Sequence, residues 1–486
     1  MAASLVSAPD LIRVLPEIIL VVMGTLLMVL SPLMRKPTSN AFGHLSILAI
    51  ALAMGGAVYA YSESGPAFGG MLMVDGFATF FRMVVLSVGI LAILPSYSFL
   101  ARQEAETAEY HALLLFSISG QCLMAAANDL IIVFIGLEIS SIASYVLAGY
   151  LRDDKRANES SLKYFLLGSF ATAFFLYGVA IIYGTTGTVN LTAVREAIAG
   201  QDQPALVFPS LAAALMFVGL GFKVSAAPFQ IWAPDVYEGA PSPISAFLSA
   251  GPKAAAFAVF LRIFLTALGP IGQGWEPLVW LAALLSMTVG NFAALLQTNV
   301  KRMLAYSSIA HAGYVLVALT ARSDIGTAAA MFYLAGYAFM NIGAFAVVSH
   351  ISGKGEKYQN IEDLAGLGQK QPVTAALFTI YLLSLIGVPL TAGFFGKFYI
   401  FKAALESHLV LLAVLGLLNS AVGAYYYLRI LVMMYMHPPG EAVSNVRPLS
   451  PSMRLALLLP AFGTLFLGIF PTWLLDFAGR SASLVK

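Results

Sequence analysis

The chain reads as a succession of long apolar runs, and no other feature restricts its folding as much. A transmembrane helix needs roughly 20 mostly apolar residues. About fourteen segments meet that requirement: 11–34, 42–62, 77–100, 108–127, 129–150, 159–184, 209–232, 243–266, 275–297, 300–320, 325–352, 372–404, 407–436 and 452–475. The runs are continuous rather than alternating over ten residues, which favours helices over an outer-membrane barrel. Composition agrees: 59% of residues are hydrophobic and only 10% charged, too few charges to cover a soluble fold, which carries ~25%. Disorder has the opposite signature of low hydrophobicity and high net charge. A net charge of +2 gives no argument for nucleic acid. The single Cys122 excludes an intrachain disulfide framework, a Cys₄ iron–sulfur cluster and a c-type haem site. The expected fold class is an all-α polytopic membrane protein with about 14 transmembrane helices.

Nine of the 26 Lys and Arg residues lie within or at the ends of these runs, among them Arg13, Arg82, Arg262, Arg429 and Arg454. Of the other 17, counting alternate connections puts 12 on one side, from Arg35 and Lys36 through Arg102, Lys301, Arg302 and Lys370 to Arg447. Five fall on the other: Arg195, Arg322, Lys402, Arg480 and Lys486. The positive-inside rule then places both termini on the periplasmic side. Met1–Asp10 has no Lys or Arg and no small-residue cleavage site, so the first span is expected to be retained.

Ionisable groups inside a hydrocarbon slab cost a few kcal/mol each or more and are functional candidates by default. They are Glu138 in the fifth span, Lys163 in the sixth, Lys223 in the seventh, Lys253 in the eighth, His311 in the tenth and Lys397 in the twelfth. Arg13, Arg82, Arg262, Arg429 and Arg454 lie near span ends, where long side chains reach headgroups, and are expected to do so. Glu17 is left open between a buried and an interfacial position. Glu138 and Lys163 flank the turn near Arg152–Lys155 at depths differing by roughly 8 Å at 1.5 Å per residue, within reach of a bridged pair. A static buried ion pair that fixes register is the bland reading.

Lys223 and Lys253 have no acid near them in sequence at the same depth, and a single mid-span carboxylate, Glu138, cannot neutralise four lysines. Desolvation disfavours the charged form of an unpaired lysine, which suits a proton acceptor and donor. His311, in Ser307-Ser308-Ile309-Ala310-His311, stands open between a relay group and a hydrogen-bonded core residue. The other five histidines fall at or near span ends, without a convincing metal or haem pair.

Two spans carry helix breakers beside their lysines. Gly219-Leu220-Gly221-Phe222-Lys223 precedes Ser225-Ala226-Ala227-Pro228, and Gly387-Val388-Pro389-Leu390-Thr391-Ala392-Gly393 precedes Phe394-Phe395-Gly396-Lys397. Either could be a simple proline kink. Aligning Gly221 with Gly387, however, matches Ser225 to Thr391, Ala226 to Ala392, Ala227 to Gly393 and Phe229 to Phe395. The two motifs stand five spans apart, so the second copy is upside down relative to the first. Inverted repeats with paired discontinuous helices point to an ion pathway at mid-membrane. The expected division is three leading helices (1–105), two five-helix units (106–267 and 268–437) and a closing helix (438–486). No phosphate-binding loop, dinucleotide fingerprint or Cys-rich cluster is present, and the longest polar connections are too short for a catalytic domain. Asn190-Leu191-Thr192 matches a glycosylation acceptor, a pattern frequent by chance. The chain can move something but shows no energy source of its own.

These residues resemble the antiporter-like membrane subunits of respiratory complex I, the proton-pumping NADH:quinone oxidoreductase, in their N branch. The segments that carry the likeness include Val14-Leu15-Pro16-Glu17, Phe134-Ile135-Gly136-Leu137-Glu138, the run 156–168, Gly221-Phe222-Lys223, Ile231-Trp232-Ala233-Pro234-Asp235, the run 301–311 and Gly393-Phe394-Phe395-Gly396-Lys397. The likeness runs over nearly the whole chain. It implies that Glu138 is the fifth-helix glutamate and Lys163 its modulating lysine. Lys223 would be the central lysine of the broken seventh helix, Lys253 the connecting lysine and Lys397 the exit-side lysine. Sister subunit M has glutamate at that last position, and sister subunit L continues into a long lateral helix where this chain ends at Lys486. The resemblance further implies no cofactor in this chain, with FMN, iron–sulfur clusters and quinone in partner subunits. The partners would be subunit M and small subunits such as K, in a bacterial inner (plasma) membrane. A cation/proton antiporter subunit of the Mrp type and a structural spacer are the rival readings.

Overall fold

The structure is a computed structural model that describes residues 7–33 and 40–483. Arg35, Lys36 and Lys486 of the charge count lie outside the described residues. Ser7 caps the short α1 (Ala8–Arg13), whose Asp10 carboxylate accepts back from the Ser7 backbone N–H. Two helices follow, α2 (Leu15–Leu30) and α3 (Ala41–Ser62). An antiparallel hairpin of β1 (Gly65–Ala67) and β2 (Leu72–Val74) leads to α4 (Gly76–Gln103).

The first five-helix unit contains α5 (Ala108–Ala126), α6 (Leu130–Ala148) and α7 (Lys155–Thr186). The amphipathic α8 (Leu191–Ala199) then precedes the half-helices α9 (Val207–Val224) and α10 (Trp232–Gly239), and α11 (Ser242–Arg262) closes the unit. The second runs through α12 (Gly272–Leu295), α13 (Val300–Thr320) and α14 (Asp324–Ile351). After the short α15 (Leu367–Lys370) come the half-helices α16 (Pro372–Ile386) and α17 (Ala392–Glu406), then α18 (Val410–Met436). The short α19 (Glu441–Ser444), α20 (Pro451–Ile469) and α21 (Pro471–Ala482) end the described chain.

Eleven helices among the described residues are long and apolar enough to cross a membrane. The remaining three expected spans are occupied by α2, α5 and the α16/α17 pair. The seventh and twelfth spans are interrupted where the breakers predicted it. A helix that is hydrophobic all round belongs in an interior. Accordingly α11 is buried along its whole length, and α13 and α14 almost so, while α7 and α18 show much of their surface. Lys253 and His311 therefore lie on the most enclosed helices.

The inverted repeat is written into backbone pairing. Leu130 N–H donates to Val189 O and Leu191 N–H to Asn128 O; Val300 N–H donates to Gln359 O and Ile361 N–H to Thr298 O. Every member of the second set stands 170 residues after its counterpart. Asp129 and Asn299, also equivalent, cap α6 and α13. At the broken helices the interval falls to 166, so the connection leading into the broken helix is four residues shorter in the second copy.

The equivalence extends to helix packing. A Cβ on Gly120 would stand 2.6 Å from Gly136 O and Ser140 N, and one on Gly290 would stand 2.6 Å from Ala310 N. Both neighbours are backbone and cannot swing aside, so the α5–α6 and α12–α13 pairs close only without side chains there. Gly120→Ala and Gly290→Ala are each expected to destabilise by about 1–3 kcal/mol through overpacking. Gly184→Ala, whose Cβ meets nothing within 4 Å, is expected to gain or lose little. Thermal unfolding of the detergent-extracted protein checks the contrast.

Candidate functional site

The site grows from the two helix breaks. Inside a membrane, backbone groups freed by a break must find partners within the protein. In the first break, Ser225 takes a left-handed conformation (φ +59°), Ala227 N–H donates to Ser286 Oγ of α12 at 2.8 Å, and the Trp232 indole donates to Phe222 O at 2.9 Å. In the second, Gly387 (φ +97°) ends α16. Lys397, reaching back from α17, donates to Leu385 O at 3.0 Å and Ile386 O at 2.9 Å. Its ammonium thus sits on the negative end of a half-helix. Ser420 Oγ of α18, at 2.9 Å, completes its set, and the Tyr314 ring lies 4.8 Å away.

Lys223, in the last turn of α9, donates to Ser141 Oγ at 2.6 Å and to Tyr145 OH at 3.3 Å, both on α6. The rings of Tyr145, Tyr164 and Phe222 lie 5.1–5.8 Å from the ammonium, a cation–π enclosure. Beside it a cavity of ≈10 Å³, lined also by Ser140 and Ser144, has about the least room that holds one water. Glu138 stands one turn before Ser141 and within electrostatic reach of Lys223. It is half-buried, and its Oε1 is enclosed without a hydrogen-bond partner.

Lys253 donates to Ser308 Oγ at 2.5 Å and Ser308 O at 3.2 Å. One turn on, His311 bonds Tyr333 OH through Nδ1 and Tyr427 OH through Nε2 at 3.1 Å, and Tyr427 OH also bonds Ser307 Oγ. Lys223, Lys253, Lys397 and His311 are all buried, and among the described residues none joins an ion pair. Hydroxyls and carbonyls hold the three lysines instead.

Lys163 departs from expectation. Among the described residues no hydrogen bond or ion pair joins it to Glu138. Its ammonium lies 2.6 Å from Asp235 and 2.7 Å from Glu159, and it is half-exposed. Asp235 opens toward Lys163 because α10 packs beside α7, and its other oxygen takes Arg302 at 2.7 Å, with Glu238 at 2.9 Å from the same guanidinium. Depth counting along the α6–α7 hairpin could not see a carboxylate delivered by the half-helix beyond the break. Asp235 is the residue that sequence reasoning passed over, although it stands inside a quoted motif.

Three other basic residues behave differently from expectation. Arg82 is fully buried and pairs with Glu17 at 2.7 Å instead of reaching headgroups, and Arg262 is buried against Asp75 at 3.0 Å. Lys301, counted among the loop charges, is fully buried, donating to Ala240 O at 2.6 Å and pairing with Glu356 at 3.3 Å. Each acid lies far away in sequence, which hid the pairing. Displaced by 170 residues, Glu138 falls on Ser308, Ser141 on His311 and Lys163 on Tyr333. The second unit thus holds other chemistry at the positions equivalent to these three residues of the first.

A family profile described as "NADH:quinone oxidoreductase/Mrp antiporter, TM" matches residues 127–423. The chain is 74% identical, over 98% of either sequence, to a protein of Solibacter usitatus (strain Ellin6076) named NADH-quinone oxidoreductase subunit N 1. The chain belongs to the NADH-quinone oxidoreductase subunit N family. Among solved structures, a chain of respiratory complex I from Thermus thermophilus with bound aureothin is 35% identical, with TM-score 0.82 over 96% of this chain and 99% of that one. A chain of the Mrp complex from Dietzia sp. DQ12-45-1b is 20% identical, with TM-score 0.83 over 99% and 98%, and shares the fold.

Asp235, as common counter-charge to Lys163 and Arg302, makes these residues one unit, and contacting sites are not additive. Asp235→Asn and Lys163→Ala are each expected to lower the thermal stability of the detergent-extracted protein, and the double variant is expected to lose less than the sum of the two.

Proposed function

We propose that this member of the subunit N family moves protons through the relay of Glu138, Lys163, Lys223, Lys253, His311 and Lys397, driven by quinone reduction elsewhere in the complex. The observation that carries the reading is that three lysines lie deep in the interior against hydroxyls and carbonyls. Such ligands hold either protonation state, whereas a carboxylate partner would lock the ammonium in place. In this reading, a shift of the charges at Glu138 and Lys163 alters the proton affinity of Lys223. Protons then pass by Lys253 and the His311–Tyr427 pair toward Lys397. Asp235 joins the modulating group through Lys163.

The assembly follows the same reading. Glu138 stands on a helix whose Ile135, Ile139 and Ile142 are exposed, an apolar face of the kind a neighbouring membrane subunit covers. The neighbours proposed are subunit M and small subunits such as K, with FMN, iron–sulfur clusters and quinone held by partner chains. The complex would sit in the bacterial plasma membrane with both termini of this chain periplasmic. The leading helices 1–105, the units 106–267 and 268–437 and the closing segment 438–486 are proposed as its working divisions. The second reading is an Mrp-type cation/proton antiporter subunit, and the fold held in common with the Mrp chain speaks for it.

A native gel of mildly extracted membranes separates the two: the chain is expected in the large band with NADH dehydrogenase activity. Within that complex, Lys223→Ala and Lys253→Ala are each expected to lower pumping by about 100-fold or more, the scale of a lost acid–base group. Full pumping in either normally assembled variant would remove that lysine from the relay. Sodium–proton exchange by the chain outside the large band would favour the antiporter.

A further inference from the structure

Where α16 and α20 enter the apolar region, both from the end that carries the positively charged connections, they leave a groove between them. Its volume is ≈540 Å³, and its lining contains Lys370 and Arg454 but no acidic residue. Both cations are exposed, and among the described residues neither is joined to a carboxylate. Beyond them the lining turns apolar: Val373 and Leu377 on α16 face Leu457 and Leu458 on α20. Val373 is 60% and Leu458 50% exposed, so the groove opens outward rather than into the core. Its rim is fixed by Gln371, which bonds Thr374 Oγ1 and His350 Nε2 through Oε1 and donates to Arg447 O at 3.3 Å.

We propose that this groove seats an anionic glycerophospholipid, with its phosphate held by Lys370 and Arg454 and an acyl chain lying between α16 and α20. The charge pattern selects this occupant. Two unpaired cations of different geometry, one a point charge and one a planar fork, suit phosphate oxygens. Their place at a membrane boundary, one to two helical turns from an exposed apolar trough, demands a molecule anionic at one end and aliphatic at the other. Basic pockets between transmembrane helices on the positively charged side of a membrane bind acidic lipid headgroups in this way. A transmembrane segment of another subunit could fill the trough, but it would have to bring carboxylates to the boundary to satisfy both cations. Inorganic phosphate would satisfy the cations and leave the trough empty. The site is separate from the proposed relay, since none of its lining residues belongs to that set.

The test uses the intact complex reconstituted in phosphatidylcholine vesicles that contain a small share of phosphatidylglycerol carrying a photoactivatable diazirine in one acyl chain. After irradiation, labelled peptides are mapped by mass spectrometry. Labelling is expected to concentrate on the peptides around Leu377 and Leu458, severalfold above a phosphatidylcholine analogue with the same diazirine. Unlabelled phosphatidylglycerol should compete, and inorganic phosphate should not. The double variant Lys370→Gln/Arg454→Gln is expected to fall to the phosphatidylcholine level. Leu458→Trp, which fills the trough and keeps both cations, should also lose the label. Migration of each variant in the large native band controls for assembly. Equal labelling by the two analogues, an unchanged label in the double variant, or exclusive cross-linking of this face to another protein chain would overturn the proposal.

Discussion

An interrupted helix inside a membrane exposes carbonyls and amides where there is no water to take them, and the rest of this molecule is arranged around meeting that demand twice. At the second interruption the answer is the Lys397 ammonium on Leu385 O and Ile386 O. At the first it is a serine from α12 and the indole of Trp232. The breaks thereby draw polar groups into the centre of an otherwise apolar bundle. The buried helices α11 and α13 pass beside them with Lys253, Ser308 and His311. The polar interior follows from the interruptions and is not scattered at random through the core.

The two interruptions are solved with unequal means. In the first, neutral partners satisfy the backbone and Lys223 is left to bond side-chain hydroxyls on α6. In the second, the lysine itself is the backbone's partner. Its charge is stabilised by the half-helix dipole, so charge and backbone geometry are coupled at Lys397 in a way they are not at Lys223.

Much of the fold was legible in the chain. Long apolar runs marked all fourteen spans, and Gly387, Pro389 and Pro228 announced where two of them would break. The matched motifs around Gly221 and Gly387 revealed an inverted pair from a few residues. The remaining equivalence lies in hydrogen bonding and close approach: Asp129 and Asn299 share a capping role without sharing identity, and the matching glycines Gly120 and Gly290 stand out only once the helices are packed. The buried positions of Lys223, Lys253, Lys397 and His311 followed from span counting, since depth is a local property of a helix. Partnerships are not local. Asp235 comes to Lys163 from another segment, Glu17 to Arg82 from 65 residues away and Glu356 to Lys301 across α13 and α14. Span counting therefore misjudged the surroundings of those three basic residues.

The substitution of chemistry between the two units has a further consequence. The first unit carries a carboxylate at Glu138 and an ammonium at Lys163, whereas the equivalent places in the second hold Ser308 and Tyr333. The backbone is duplicated, but its sensitivity to an approaching charge is not. At those two positions a field change beside the molecule finds ionic groups to act on in the first unit and only dipoles in the second. The architecture is nearly symmetric under inversion, yet its electrical response has a front and a back.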